Sequence, residues 1–246
     1  MSSGTKIEWT ERTWNPVKGC TKISPGCKHC YAETMSARLK AMRTPGYEDG
    51  FKLRVLPHRI EEPLKRKIPT IYFVNSMSDL FHEDVPKEFI HQVFNTIEKA
   101  HWHTFQILTK RADRMESFFI ERQPPANVWL GVSVEDKEYG VPRIENLRRI
   151  KGASIRFLSV EPLLEDIGNI NLMDIHWVIV GGESGKKARP MKLEWVESIR
   201  KQCELEEVAF FFKQWGGWGV DGVKRAKKVN GRELHGRTWD EMPEIV

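Results

Sequence analysis

Six stretches of this chain carry apolar residues without alternation: Ile71–Val74, Phe105–Leu108, Val128–Val132, Ile155–Val160, Trp177–Val180 and Val208–Phe212. A strand with one wet face alternates apolar and polar residues. A strand buried on both faces does not, and such strands belong to parallel sheets covered by helices. The expected strands are a short first one near Trp14–Lys18, then Thr70–Asn75, Thr104–Thr109, Val128–Val134, Ile155–Val160, Trp177–Val180 and Val208–Phe212. Between them, apolar residues recur at helical spacing: Tyr31, Met35, Leu39 and Met42; Phe89, Val93 and Ile97; Val141, Ile144 and Leu147; Leu193, Val196, Ile199 and Cys203. Such stripes read as core, and Cys203 among them reads as a small buried residue. Repeated strand–helix–strand units give a parallel sheet with right-handed crossovers. For 246 residues the fold expected is α/β, a full or partial TIM-type (β/α) barrel, with a doubly wound open sheet as the alternative. The barrel domain is expected over 1–213, with a loop at 19–30 and an insertion at 44–69. Residues 214–246, rich in Gly and Trp, read as a tail packed on the barrel.

Parallel α/β folds bind ligands at the carboxyl ends of their strands. Polar residues gather at those ends here: Asn75 to Asp79, Thr109 to Arg111, Ser133 to Asp136, Ser159 to Glu161, Gly181 to Ser184, and Lys213 with Gln214. Some are helix caps. Glu135, Glu161 and Glu183 are poor capping residues, and converging strand ends would bring them to one mouth, where they are candidate ligand contacts.

The segment Gly19 to Cys30 holds three of the four cysteines in the spacing C-x6-C-x2-C. Thiolates are soft ligands suited to zinc or iron–sulfur clusters, and Gly19, Pro25 and Gly26 supply the bends. A structural zinc site is normally closed by four protein ligands; His29 and, further off, His58 are the candidate fourth. A four-iron cluster on three cysteines instead leaves one iron open. Both readings stand on the residues alone, as does a redox-sensing cluster. His82, His91, His101 and His103 lack metal-ligand spacing and read as surface or core residues. There is no G-x4-G-K-S/T or G-x-G-x-x-G phosphate loop.

The charge balance is +5, with basic runs at Lys65–Lys67, Lys186–Arg189 and Lys224–Lys228, and the chain has nine tryptophans. A polyanion such as DNA would be attracted; each run alone also reads as a solvated face. No apolar run reaches the ~18–20 residues of a membrane span, and Met1–Trp14 lack a signal-peptide core. The expected location is the cytoplasm, whose reducing conditions keep thiols free.

A three-cysteine loop after the first strand of a (β/α) barrel resembles the radical S-adenosylmethionine superfamily, whose usual spacing is C-x3-C-x2-C. Over its length the chain more closely resembles a family of phage and bacterial proteins named for their three-cysteine motif and regarded as radical-SAM-like. That resemblance rests on Ile7–Thr10 with Trp14–Pro16, the cysteine loop, Leu108–Arg111, Gly131–Glu135, Gly181–Ser184, Lys213–Gly216 and Gly236–Asp240. It implies a [4Fe-4S] cluster on Cys20, Cys27 and Cys30 whose open iron binds S-adenosylmethionine. It also implies reductive cleavage of that cofactor to a 5′-deoxyadenosyl radical, and an electron donor such as flavodoxin or ferredoxin. By position, His29 would lie near the adenine, and Ser76 or Ser78 would receive the cofactor's amino group. Ser133 and Glu135 would meet its ribose and carboxylate, and Lys110 a carboxylate. With the basic runs, the expected substrate is a nucleic-acid base or nucleotide, in phage-related DNA modification or repair. A base in duplex DNA would have to flip out to be reached. The non-enzymatic alternative is a nucleic-acid-binding protein with a zinc clamp of three cysteines and a histidine.

Overall fold

The computed structural model is α/β. It describes residues 4, 5 and 7–244; residues 1–3, 6, 245 and 246, which fall in the expected barrel domain and tail, lie outside the described residues. In chain order the elements are β1 (Arg12–Trp14), β2 (Val17–Lys18), α1 (Tyr31–Ala41), β3 (Arg54–Val55), β4 (Ile71–Val74), α2 (Lys87–Lys99), β5 (Thr104–Thr109), α3 (Ala112–Ile120) and β6 (Val128–Ser133). They continue with α4 (Pro142–Arg149), β7 (Ile155–Val160), β8 (Trp177–Gly181), α5 (Leu193–Leu205), β9 (Ala209–Gln214) and α6 (Lys227–Asn230).

The main sheet runs β1-β4-β5-β6-β7-β8-β9, and β2 pairs with β3 in a separate two-stranded sheet. Spatial order follows chain order throughout. A doubly wound sheet must reverse its order at a switch point, so that alternative is excluded. The winding is that of a partial TIM-type barrel.

Two compact units share strand β6. The first comprises Met1–Ile23, Cys30–Leu130 and Ile150–Ser154. Within it, β4 lies parallel between β1 (Arg12 opposite Tyr72) and β5 (Ile71 opposite Thr104). Its core holds Trp14, Phe105, Ile107, Val93, Phe94, Ile97 and Met115, all at most 1% exposed. Each such side chain contributes about 1.5–3 kcal/mol by leaving water. Residues 44–69 are tied to this core: Trp14 Nε1 donates to the Arg59 carbonyl at 2.8 Å, and Trp102 Nε1 to that of Arg66 at 2.9 Å.

The second unit comprises Ser24–His29, Gly131–Arg149 and Ile155–Val246. Here β8 lies parallel between β7 (Phe157 opposite Trp177) and β9 (Trp177 opposite Ala209), with an irregularity at Val180/Gly181. The tail pairs along β9: the Phe212 N–H donates to the Trp239 carbonyl at 2.9 Å, and Phe210 N–H to Glu241 Oε2 at 2.8 Å. That covers backbone groups an edge strand would otherwise expose.

Three expectations need correction. The first strand is two: β1 joins the main sheet, whereas β2 turns away to pair antiparallel with β3 (Val17 opposite Val55). The break falls at Asn15-Pro16, because proline has no N–H to continue a ladder. Helix α1 buries Ala32 and Ser36 rather than its larger residues; Tyr31 is 67% and Met42 73% exposed. The small face allows close approach, and Ser36 Oγ reaches the Gly50 carbonyl at 3.4 Å. Helix α3 was not expected; its buried face is Met115, Phe118 and Phe119. In the other stripes Phe89, Val93 and Ile97 of α2, Ile144 and Leu147 of α4, and Val196, Ile199 and Cys203 of α5 are buried, while Val141 and Leu193 are half-buried.

Candidate functional site

In the first unit, the cysteine loop leaves β2 through Gly19, whose φ is +78°. A Cβ there would fall 2.3 Å from the Lys52 carbonyl oxygen, so only glycine fits. Its N–H donates to the Met77 carbonyl at 3.1 Å, and the Cys20 N–H to that of Phe51 at 3.4 Å. Lys18, two residues earlier, is 4% exposed with its ammonium 5.0 Å over the Tyr47 ring. Burial, then the nearby Arg54 charge, lowers its pKa.

The sulfur of Cys20 meets Arg111 at the carboxyl end of β5. Nη1 lies 3.5 Å from Sγ and 3.3 Å from Asp79 Oδ2. Nε donates to Glu83 Oε2 at 2.5 Å, and Nη2 to Thr21 Oγ1 at 2.9 Å. Asp79 is saturated further by the Thr109 hydroxyl (2.7 Å) and the Phe81 (2.9 Å) and Lys110 (3.1 Å) N–H groups. Burial works against the Arg111 charge, but its bonds to Glu83, Asp79 and Cys20 outweigh that and raise its pKa. The bond from Arg111 holds Glu83 down at about 2.

His82 completes this cluster and is fully buried. Its Nδ1 accepts the Asp84 N–H at 3.1 Å. Nε2 therefore carries the proton and donates to Thr21 Oγ1 at 2.8 Å, and the Thr21 hydroxyl donates on to Glu83 Oε1 at 3.0 Å. Burial first, then the Arg111 charge, lowers the His82 pKa, so the ring is neutral at pH 7.

In the second unit, Ser24–His29 is seated on Glu135, which is fully buried. Ser24 Oγ bonds Glu135 Oε1, and Ser24 also lies 3.7 Å from the Cys27 sulfur. A Cβ on Gly26 would meet Glu135 Cγ at 2.9 Å. Arg143 Nη1 bonds Glu135 Oε2 at 2.7 Å and the Ser133 carbonyl at 2.8 Å. A buried carboxylate costs too much unless paired; Arg143 is that partner.

The other expected contacts lie as follows. Ser76 donates to Asn15 Oδ1 at 3.1 Å and Ser78 to the Val17 carbonyl at 2.8 Å, so both hydroxyls brace the strand ends of β1 and β2. Lys110 meets Asp79 through its backbone. Glu161 pairs with Lys213, Oε1 to Nζ 3.0 Å. Glu183 takes a two-pronged grip from Arg189, at 2.6 and 2.9 Å. Each of the three glutamates thus has its own cation, which the sequence reading did not foresee. Asp79 and Arg111 were named only among the polar strand ends, without a role, and Thr21, Glu83, Ser24 and Arg143 were missed. The signal for Arg111 was a basic residue directly at a strand's carboxyl end.

Cys20, Cys27 and Cys30 are free thiols of intermediate exposure, as is His29. Among the described residues, no group of three His, Cys, Asp or Glu side chains stands gathered as for a metal ion. The donor chemistry nevertheless fits an iron–sulfur cluster: three reachable soft sulfurs on one loop. Cys203 is different. It is fully buried, and desolvation pushes its thiol up to about 12.

No helix among the described residues is long and apolar enough to cross a membrane. No curated protein matches the chain. Solved structures of spore photoproduct lyase resemble it. One has a TM-score of 0.47 at 14% identity, covering 78% of this chain and 61% of that one. A second, with bound AdoMet and dinucleoside spore photoproduct, has a TM-score of 0.46 at 14% identity and the same coverage of both chains, 78% and 61%. A third, complexed with dinucleoside spore photoproduct, has 0.43 at 12%, covering 76% and 58%. The chain thus spans about three fifths of the length of the lyase chains it matches. Residues 4–243 match the family model described as Protein of unknown function (DUF5131), and the chain belongs to that family.

Proposed function

We propose that the chain is a radical S-adenosylmethionine enzyme in which Cys20, Cys27 and Cys30 hold a [4Fe-4S] cluster. The observation that carries this reading is the placement of Cys20. It follows β1, the first strand of a sequentially wound parallel sheet, through the short β2, at the end where such folds bind ligands, and its sulfur lies 3.5 Å from a buried arginine. When bound, the cluster supplies one electron to the reductive cleavage of S-adenosylmethionine.

The residues around the loop hold it in place. Asp79, Glu83 and Thr21 fix the Arg111 guanidinium, which in turn fixes Cys20. Glu135, clamped by Arg143, seats Ser24 and Gly26 ahead of Cys27. His29 would lie beside the adenine, and Ser76 or Ser78 would receive the amino group. Ser133 with Glu135, Lys110, and the strand-end Glu161 and Glu183 remain candidate cofactor or substrate contacts. Flavodoxin or ferredoxin would deliver the electron, and the reducing cytoplasm would keep the triad as thiols. The proposed hydrogen donor is a nucleic-acid base or nucleotide, in DNA modification or repair; the basic runs support that class.

The test is anaerobic incubation of iron- and sulfide-reconstituted protein with S-adenosylmethionine and dithionite, followed by mass spectrometry. The expected products are 5′-deoxyadenosine and methionine, absent with Cys20→Ala. A reconstituted, iron-loaded protein that yields neither would overturn the radical reading and leave a redox-sensing cluster.

A further inference from the structure

The stripe of α1 that reads as core in the sequence lies in water. Tyr31, Met35, Leu39 and Met42 share one helix face, at i, i+4, i+8 and i+11. Tyr31 is 67% and Met42 73% exposed, and Met35 and Leu39 between them are half-buried. The helix is held instead by its small face, Ala32 and Ser36. Single exposed apolar side chains are ordinary. A contiguous row of them marks an interaction surface.

Arg38 falls on the same face, two turns after Tyr31 and four residues before Met42. It is exposed, as are Lys40 and Arg43 at the carboxyl end of the helix. None of these three side chains makes an ion pair among the described residues. The helix has one carboxylate, Glu33, and Lys22 holds it at 2.7 Å. A helix end attracts cations to its last turn, but that does not account for an apolar row left in water beside them.

The helix is tied directly to the cysteine loop. Cys30 is its N-cap, and the Cys30 carbonyl accepts both the Thr34 N–H and the Thr34 hydroxyl at 3.1 Å. From there α1 extends about 16 Å.

We infer that this face of α1 docks an acidic one-electron carrier protein of the flavodoxin or ferredoxin class. Tyr, Met and Arg are enriched where proteins meet, and here they stand in one row. Carboxylates on a carrier complement Arg38, Lys40 and Arg43, and such complementarity steers the encounter. Electron-transfer contacts are small, so one helix face suffices. A second copy of the chain would set the three cations against three more. A nucleic-acid strand needs cations along its path, whereas these gather at one end of an apolar row. A carrier seated on α1 lies beside Cys30; it loses one electron and the cluster gains it. The inference rests on the proposed cluster as the acceptor.

The experiment is isothermal titration calorimetry of the iron-loaded and the metal-free chain with a bacterial flavodoxin and with a plant-type ferredoxin. Salt is varied from about 10 to 100 mM, where the Debye length falls from about 30 to about 10 Å. In parallel, bleaching of the visible absorbance follows reduction of the cluster by reduced flavodoxin and by dithionite. A colourless chain fails the cluster reading, and with it the acceptor on which this inference rests. A cluster that dithionite bleaches, on a chain to which neither carrier binds, fails this inference alone. The wild type should bind at least one carrier, more weakly as salt rises. Arg38→Glu/Met42→Asp should weaken binding about tenfold or more and slow reduction by flavodoxin, with iron content and reduction by dithionite as in the wild type. Lys201→Glu/Leu205→Asp, an equal charge change at exposed positions of α5, should behave as the wild type. Should the α1 variant fail to fold by circular dichroism, Arg38→Gln/Met42→Gln carries the same prediction at smaller amplitude. The inference is overturned if the α1 variant binds unchanged or if the control weakens binding as much. It is also overturned if analytical ultracentrifugation shows a wild-type dimer that the α1 variant dissociates, because the row would then be the chain's own interface.

Discussion

Arg111 holds its Nη1 3.5 Å from the sulfur of Cys20 and 3.3 Å from Asp79, so one buried guanidinium joins the cysteine loop to the sheet end. Removing it strands Asp79, itself 6% exposed, without its cation. Arg111→Gln should cost about 3–5 kcal/mol in urea denaturation, as broken buried pairs do. Arg111→Gln with Asp79→Asn should recover part of that loss. Both variants should retain less iron than the wild type, because Cys20 loses its brace. Full iron retention in Arg111→Gln would show that the arginine serves stability alone.

Gly26→Ala tests the other half of the loop. The added methyl would meet Glu135 Cγ at 2.9 Å, and Glu135 cannot swing aside while Arg143 holds it at 2.7 Å. The loop must shift instead, and Cys27 with it. Iron content after reconstitution should fall several-fold, while strain of this kind costs about 1–3 kcal/mol in melting stability. Unchanged iron content would mean that the seat on Glu135 does not position Cys27.

How much of this was legible in the sequence depends on what set each feature. The unalternated runs exposed the parallel sheet because strands such as β6 and β8 are buried along their whole length, although β4 alternates buried and half-buried residues. The stripe of α1 misled because periodicity gives a helix a face without saying whether anything covers it; Ala32 and Ser36 are covered and Tyr31 is not. Helix α3 was missed because it follows β5 with no glycine or proline between, although Met115, Phe118 and Phe119 stand at helical spacing. The cysteine spacing was plain. The partners of the site were not, because Arg111 meets Cys20 across 91 residues and no local pattern records such a pairing.

Stability should fall as pH drops below about 6.5 through two histidines that folding desolvates, the buried His103 and the half-buried His176. His103 bonds the Pro63 and Arg66 carbonyls through Nε2 at 3.1 and 3.0 Å, and His176 accepts the Arg156 N–H. Burial lowers both pKa values from 6.5. Between each lowered value and 6.5 the unfolded chain binds more protons, so stability rises with pH there and is lost on acidification. Each contributes up to about 1.4 kcal/mol per pH unit. Glu83, held at about 2, contributes only below its ordinary range of about 4.5. Urea midpoints at pH 7.5 and 5.5 should differ, and His103→Gln should shrink the difference. A flat profile would mean that these rings protonate in the fold.

Cys203 should stand apart from the triad in reactivity. Its fully buried thiol, pushed up to about 12, yields almost no thiolate at pH 8. Iodoacetamide on the metal-free native protein should label Cys20, Cys27 and Cys30 and spare Cys203 until urea is added, as mass spectrometry of peptides would read. Cys203→Ala should leave iron content unchanged.

The central claim is that three cysteines hold a cluster. Its most direct measurement is iron and acid-labile sulfide per chain, with the absorbance near ~400 nm typical of such clusters, on protein purified without oxygen. The prediction is a brown protein with about four of each per chain, reduced to background in Cys27→Ala. A colourless protein carrying one zinc per chain and no sulfide would contradict it and assign the loop to a zinc clamp completed by His29.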